Sequence, residues 1–97
     1  MKQGFVTLSG NDTPYKITEE NTPFYDVTIW GYKSWVTGMP ITNINTVYLG
    51  TNTDFMPIQV PANNYINISM DKRKSDDLSN YFFIGASGDG IYYIARN

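Results

Sequence analysis

Hydrophobic and polar residues alternate along this chain with a period of two, which is the pattern of β-strands. The clearest example is residues 65–70, where Ile66, Ile68 and Met70 are expected to face the core. No segment carries the 3.6-residue stripe of an amphipathic helix. The strands that the alternation predicts cover residues 5–9, 15–18, 24–30, 46–50, 65–70, 81–84 and 91–95.

Two segments carry a weaker strand signal. Residues 32–45 contain Gly38, Pro40 and several Thr and Asn residues, which favour a long connection. Residues 56–60 are flanked by prolines, and proline has no amide hydrogen to give to a sheet. We therefore expect residues 56–60 to form an edge strand or the margin of a loop.

The length and composition indicate one globular domain. The 97 residues suffice for one compact domain and are too few for two. Charged residues make up only 16% of the chain and aromatic residues 15%, a balance opposite to that of disordered proteins. We predict a single all-β domain over residues 1–97, a small antiparallel β-sandwich or jelly roll of about seven or eight short strands.

A glycine-rich stretch, ASGDG at residues 86–90, lies between the last two predicted strands. A phosphate-binding loop would open a helix, but here a strand follows. A calcium loop needs several oxygen ligands at fixed spacing, and this stretch offers one aspartate. We therefore interpret residues 86–90 as the turn of a β-hairpin, in which Gly85, Gly88 and Gly90 supply positive φ angles.

The residues needed for most catalytic sites are missing from the sequence. The chain has no histidine and no cysteine, so neither a Ser-His-Asp triad nor a thiolate site can be assembled. Asp76 and Asp77 are the main acidic pair, but they adjoin the basic run at residues 72–74. This arrangement favours a solvated charged loop over residues 71–77 rather than a carboxylate or calcium site. We predict no enzymatic activity, no cofactor and no metal.

The charge distribution gives no footprint for nucleic acid. The formal net charge is −2, and the basic residues cluster only at residues 72–74. No apolar run approaches the length of a membrane span, and the first residues lack the apolar run of a signal peptide. We expect a protein made in the cytoplasm that binds neither nucleic acid nor membrane.

Three aromatic residues, Trp30, Tyr32 and Trp35, lie close together in the sequence. Flat aromatic rings stack on sugars, and Asp26, Asn43 and Asn45 could bind sugar hydroxyl groups. Tryptophan and tyrosine also fill sandwich cores and subunit interfaces, where aromatic residues are enriched. Packing in a core or an interface is the favoured interpretation, and sugar binding is the alternative.

The second half of the chain contains four segments in a recognisable order. NTVYLG at residues 45–50 is followed by MPIQVPANNYINI at 56–68, DLSNYFFIG at 77–85 and, after the glycine-rich turn, IYYI at 91–94. This order resembles a family of small bacteriophage virion proteins with a VYLG strand, a P-x-G turn and a DLSxIYVxG…GxGVxYI ending. Here Pro61-Ala62-Asn63-Asn64 replaces the P-x-G turn, and asparagine can adopt the left-handed conformation that such a turn needs.

The resemblance implies a β-sandwich subunit of the decoration, head-fibre or minor capsid type. Such a protein would be located in the virion, oligomerise with itself, and bind the major capsid protein or other virion subunits. The alternative is a carbohydrate-binding module for host-surface recognition. Because aromatic residues dominate binding energy at interfaces, the residues predicted for the interface are Trp30, Tyr32, Trp35, Tyr81, Phe83, Tyr92 and Tyr93.

Overall fold

The computed structural model describes residues 2–70 and 75–97, and these residues form an all-β fold. The only helical element among them is a single 3₁₀ turn at Leu78–Asn80. The twelve strands within the described residues are β1 (Lys2–Thr7), β2 (Tyr15–Lys16), β3 (Pro23–Phe24), β4 (Asp26–Trp30), β5 (Tyr32–Val36), β6 (Met39–Thr42), β7 (Val47–Gly50), β8 (Ile58–Val60), β9 (Tyr65–Ser69), β10 (Asp76–Asp77), β11 (Phe82–Ile84) and β12 (Gly90–Arg96).

Two four-stranded antiparallel sheets make up most of the fold. The first sheet has the strand order β1-β12-β4-β9, and the second has the order β2-β11-β7-β8. Two short pairs, β3 with β10 and β5 with β6, complete the ladders. The predicted all-β class is confirmed as a small β-sandwich. The structure has more strands than the seven or eight predicted, partly because it includes three strands of only two residues each, β2, β3 and β10.

The core lies between the two sheets and forms one apolar cluster. Alternate residues of a strand point to opposite faces, so the inward positions of both sheets interdigitate. The first sheet contributes Val27, Ile29, Ile91, Tyr93 and Ala95, and the second contributes Val47, Leu49, Val60 and Phe83.

The orientation predicted for residues 65–70 is confirmed. Ile66, Ile68 and Met70 all pack against the core cluster. They are only half-buried because β9 is an edge strand with no neighbour on its outer side among the described residues. β8 is likewise an edge strand, as its flanking prolines predict. Asn63, in the turn before β9, has the expected positive φ, at 58°.

The long connection predicted for residues 32–45 is wrong, because β5 and β6 form a hairpin there. Its two-residue turn is Thr37-Gly38, with φ angles of 51° and 77°. Two successive positive φ angles are the signature of a type I′ turn, which usually carries Asn-Gly or Asp-Gly. The β-branched Thr37 is strained at the first of these positions. The sequence therefore lacks the usual signal for this turn.

The hairpin predicted for the last two strands is also wrong. β11 pairs with β2 and β7 in the second sheet, whereas β12 pairs with β1 and β4 in the first. The glycine-rich segment therefore crosses from one sheet to the other. Of its glycines only Gly88 has a positive φ, at 92°, while a Cβ at Gly90 would overlap the Val6 carbonyl group.

Asp89 in this crossing is a buried structural anchor. Its side chain is 2% exposed, and its two carboxylate oxygens accept hydrogen bonds from the backbone amides of Ile44 and Asn45, each at 3.0 Å. Beside it, the buried Asn43 amide bonds both backbone groups of Gly90, at 2.7 and 2.9 Å. We call Asn43 and Asp89, with the backbone groups that they bind, the polar anchor.

Asp76 and Asp77 do not lie in a solvated loop as predicted. They pair with β3, and Asp77 Oδ1 caps the 3₁₀ turn by accepting from the Ser79 amide at 2.9 Å. The same oxygen accepts from the Thr22 amide at 2.8 Å and from the Ser79 hydroxyl at 2.7 Å. These hydrogen bonds, that from Thr22 foremost, lower the pKa of Asp77. Ser75 of that predicted loop is exposed and outside any strand, and residues 71–74 lie outside the described residues.

We expect Thr37→Asn to raise the free energy of unfolding by about 1 kcal/mol, because asparagine tolerates positive φ better than a β-branched residue. Urea unfolding measures the change. Thr53→Asn is the matched control, since Thr53 is exposed and does not have a positive φ. A destabilised Thr37→Asn variant, or an equal gain in the control, would contradict the assignment of the turn.

Asp89→Asn is expected to lower the free energy of unfolding by about 3 kcal/mol. The amide group keeps one acceptor, so its NH₂ faces a buried backbone N–H and leaves it without a partner. The same substitution at the exposed Asp54 should change stability by less than about 0.5 kcal/mol. Equal urea midpoints for the two variants would show that the polar anchor contributes little.

Candidate functional site

The outward face of the first sheet carries one aromatic residue on each of its four strands. Phe5 on β1 pairs with Tyr92 on β12, Tyr92 pairs with Trp30 on β4, and Trp30 pairs with Tyr65 on β9. Residues directly opposite one another in a sheet point to the same face. The strand register therefore sets the four rings side by side in a single row across the sheet.

The rings in this row contact one another. The centroid separations are 4.7 Å for Phe5–Tyr92, 5.3 Å for Tyr92–Trp30 and 6.2 Å for Trp30–Tyr65. The planes are tilted by 33° to 44° along the row. These separations and tilts are those of favourable aromatic pairs, so contacts between the rings stabilise the row.

The β5–β6 hairpin adds a fifth ring. Trp35 lies 6.3 Å from Tyr92, between ring centroids. The tight turn at the end of the hairpin positions Trp35 opposite Pro40. Tyr32, at the start of the same hairpin, is half-buried and pairs with Thr42. We call Phe5, Trp30, Trp35, Tyr65 and Tyr92 the aromatic face.

Three rings of the aromatic face are open to solvent. The exposed fractions are 40% for Phe5, 50% for Trp35 and 59% for Tyr65. Trp30 and Tyr92, at the centre, are half-buried against their neighbours. An apolar patch of this kind on a folded surface marks an interaction site more often than a scattered exposed residue does.

A polar cluster occupies the other end of the same outward face. Arg96 forms a 2.8 Å ion pair with Asp26, and Asp26 also accepts hydrogen bonds from Asn67 at 2.8 Å and Ser69 at 2.9 Å. The hydrogen bond from Asn67, followed by those from Ser69 and Arg96, lowers the pKa of Asp26. These groups satisfy one another, so the carboxylate has little capacity left for a ligand.

Three of the seven residues predicted for an interface lie in the core instead. Tyr81, Phe83 and Tyr93 are 5%, 0% and 4% exposed. Burial and a 2.8 Å hydrogen bond to Asp76 raise the pKa of Tyr81 to about 12, and burial raises the pKa of Tyr93. Trp30, Tyr32, Trp35 and Tyr92 reach the surface to different degrees.

The polar residues associated with sugar binding do not gather around the tryptophans. Asn43 is buried in the polar anchor, and Asn45 lines a separate open cleft of about 530 Å³ with Asn11, Asp12 and Tyr48. Only Asp26 shares the outward face with the aromatic residues. The predicted set of sugar-binding side chains is therefore divided among three parts of the fold.

Sequence reasoning missed Phe5 and Tyr65, which complete the aromatic row. Each occupies a position in an alternating strand where a polar residue is expected, opposite in phase to its apolar neighbours Val6 and Ile66. An aromatic residue at an outward position was the available signal. It became informative only once the pairing of distant strands placed the two residues in one row.

Other kinds of site receive no support from the described residues. Across residues 2–70 and 75–97, no three acidic side chains come together in a group that could hold a metal ion. No helix in these ranges is long and apolar enough to cross a membrane. Comparisons with models of protein families, with curated proteins and with solved structures give no match.

We expect Asn67→Ala to raise the pKa of Asp26 toward its ordinary value of 3.8, because the largest stabilising hydrogen bond to the carboxylate is lost. A carboxyl whose pKa is lowered in the folded state stabilises the fold above its unfolded pKa. That contribution disappears as the pH falls through the folded value, so wild-type stability should decline below about pH 4.

Carboxyl carbon NMR titration measures the pKa of Asp26 in both proteins. Asp77 serves as the internal control, because its hydrogen-bond partners are Thr22 and Ser79 and are untouched by the substitution. An unchanged pKa at Asp26, or an equal shift at Asp77, would contradict the local assignment.

Proposed function

We propose that this chain is a non-enzymatic structural protein of a bacteriophage virion, a decoration, head-fibre or minor capsid subunit that acts through protein–protein contacts. The observation that carries the proposal is the aromatic face, a row of adjoining rings on an outward sheet surface. The segments of residues 45–94 that resemble small virion proteins support the same assignment.

The chemistry of the aromatic face favours a protein partner. Aromatic residues and methionine are enriched at subunit interfaces, and tryptophan and tyrosine supply much of the binding energy there. The hairpin that carries Trp35 also exposes Val36 and Met39, at 56% and 67%. A neighbouring subunit that covers this surface would remove a large apolar area from water. Burial of apolar surface stabilises a complex by about 25 cal/mol per Å².

The expected partners are the major capsid protein or other virion subunits, together with further copies of this chain. A particle offers many equivalent sites, so modest contacts gain from the high effective concentration of neighbours. Such a role requires neither a catalyst nor a cofactor. In this proposal the protein is located in the virion.

Carbohydrate binding for host-surface recognition is the second candidate. Asp26 and Asn67 lie on the same outward face as Trp30 and Tyr65. Three residues separate Asp26 from Trp30 on β4, and one residue separates Tyr65 from Asn67 on β9. A sugar could stack on the rings and reach these polar groups. The polar groups already bond one another, which makes this candidate the weaker one.

Quantitative mass spectrometry of gradient-purified particles from the source lysate tests the proposal. We expect the chain at a fixed ratio to the major capsid protein, and we expect Phe5→Ala and Trp35→Ala to lower that ratio at least about fivefold, because truncation removes anchor residues. Phe55→Ala is the matched control, since Phe55 is 67% exposed but is not part of the aromatic face.

Absence of the chain from washed particles would overturn the virion assignment. Equal retention of all three variants would leave the chain in the particle but remove the aromatic face as its docking surface. Binding to a glycan array that is lost in Trp35→Ala, with an intact fold, would favour the carbohydrate-binding function.

A further inference from the structure

The four edges of the two main sheets differ in how they are protected from pairing with another chain. Unpaired sheet edges invite association, and proteins block them with short strands, prolines or inward-pointing charges. In the second sheet, β2 has two residues and β8 lies between Pro57 and Pro61. In the first sheet, Lys2 of β1 lies on the core side opposite Ala95, with its ammonium 3.0 Å from Glu20.

β9 lacks all of these protections. Its five residues, Tyr65–Ser69, include neither proline nor a charged side chain. The side chain of Asn67 is held on the outward face by hydrogen bonds to Asp26 and Thr28, at 2.8 and 3.1 Å, so it does not cover the edge.

The hydrogen-bond pattern between β9 and β4 shows which backbone groups face outward. The Met70 amide donates to the Tyr25 carbonyl, and the Gly31 amide donates to the Asn64 carbonyl. In an antiparallel ladder, bonded pairs alternate with non-bonded ones, so Ile66 and Ile68 also bond to β4. The N–H and C=O groups of Tyr65, Asn67 and Ser69 therefore point away from the sheet.

We propose that β9 pairs antiparallel with β9 of a second copy of this chain, with the two-fold axis at Asn67. This inference rests on the homo-oligomer part of the proposed function and specifies its interface. In this register Asn67 bonds the partner's Asn67, and Tyr65 lies opposite the partner's Ser69. The outward-facing groups of one strand meet those of the other, and the two sheets join into one of eight strands.

The side chains of β9 are self-complementary in the same register. On the core side, Ile66 lies opposite the partner's Ile68, and Ile68 lies opposite the partner's Ile66. Both isoleucines are half-buried in the single chain because they border the open edge. Pairing would cover each isoleucine with an isoleucine of the second copy. The two-fold symmetry supplies this match automatically, whereas a partner of different sequence would need apolar residues at the same positions.

The size of the contact indicates a weak dimer in solution. Five paired residues extend about 17 Å, which is short for an interface of the standard ~800 Å² per partner. The Tyr65 amide must also give up its 2.8 Å bond to Asn64 Oδ1 on pairing. We expect a micromolar dissociation constant, which crowding of copies on a particle would offset.

Sedimentation velocity of the full chain from about 1 to 500 μM tests the inference, with Asn67→Pro as the disruptive variant. Proline removes the outward N–H of Asn67 and leaves the backbone hydrogen bonds between β9 and β4 intact. Asn67→Ala is the matched control, because it removes the same side chain and keeps the N–H. We expect the dimer to be at least about tenfold weaker in Asn67→Pro than in Asn67→Ala.

A chain that stays monomeric throughout this range, or a dimer equally strong in both variants, would overturn the inference. Hydrogen exchange of the wild-type protein gives a test that does not depend on the folding of Asn67→Pro. The amides of Asn67 and Ser69 should gain protection as the concentration rises, whereas those of Ile66 and Ile68 should be protected throughout. If the exchange rates of the Asn67 and Ser69 amides did not change with protein concentration, the inference would also be overturned.

The outcome is separable from the test of the virion proposal. A dimer through β9 without incorporation into particles would retain this interface and reject the virion role. Incorporation at a fixed ratio by a chain that is monomeric in solution would retain the virion role and reject the β9 interface.

Discussion

The fold depends on the polar anchor formed by Asn43 and Asp89, where the chain passes from one sheet to the other. Asp89 bonds the amides of Ile44 and Asn45 while its own carbonyl accepts from Leu8. Charge-assisted bonds of this kind, buried and fully paired, are strong and geometrically demanding. Two distant segments, at Leu8 and at residues 43–45, are thereby fixed to the start of β12, the strand that pairs with both β1 and β4.

The position of β12 in turn decides what the outward surface becomes. Because β12 lies between β1 and β4, its register sets both neighbours, and Tyr92 falls level with Phe5 and Trp30. A shift of one residue in either ladder would turn those rings toward the core. The aromatic face is therefore a consequence of strand pairing, anchored at one end by the buried carboxylate.

The sequence predicted the all-β class, most of the strands and the inward side of β9 because these follow from local alternation. It did not predict the β5–β6 hairpin, since Thr37 occupies a turn position that asparagine or aspartate usually fills. It also misplaced the last two strands, because a short glycine-rich link fits both a hairpin and a crossing between sheets. The pairing of β11 with β2 and β7, and of β12 with β1 and β4, distinguishes these two cases.

The candidate site was predicted less completely than the fold, for a related reason. An aromatic residue in a strand serves either the core or the surface, and strand phase alone decides which. Tyr92 and Tyr93 show this directly, since adjacent tyrosines lie on the aromatic face and in the core. The open edge of β9 adds a second surface at the margin of the same sheet, roughly perpendicular to the first. Pairing at that edge would leave the aromatic faces of both copies uncovered, so one contact can join copies while the other binds a different subunit.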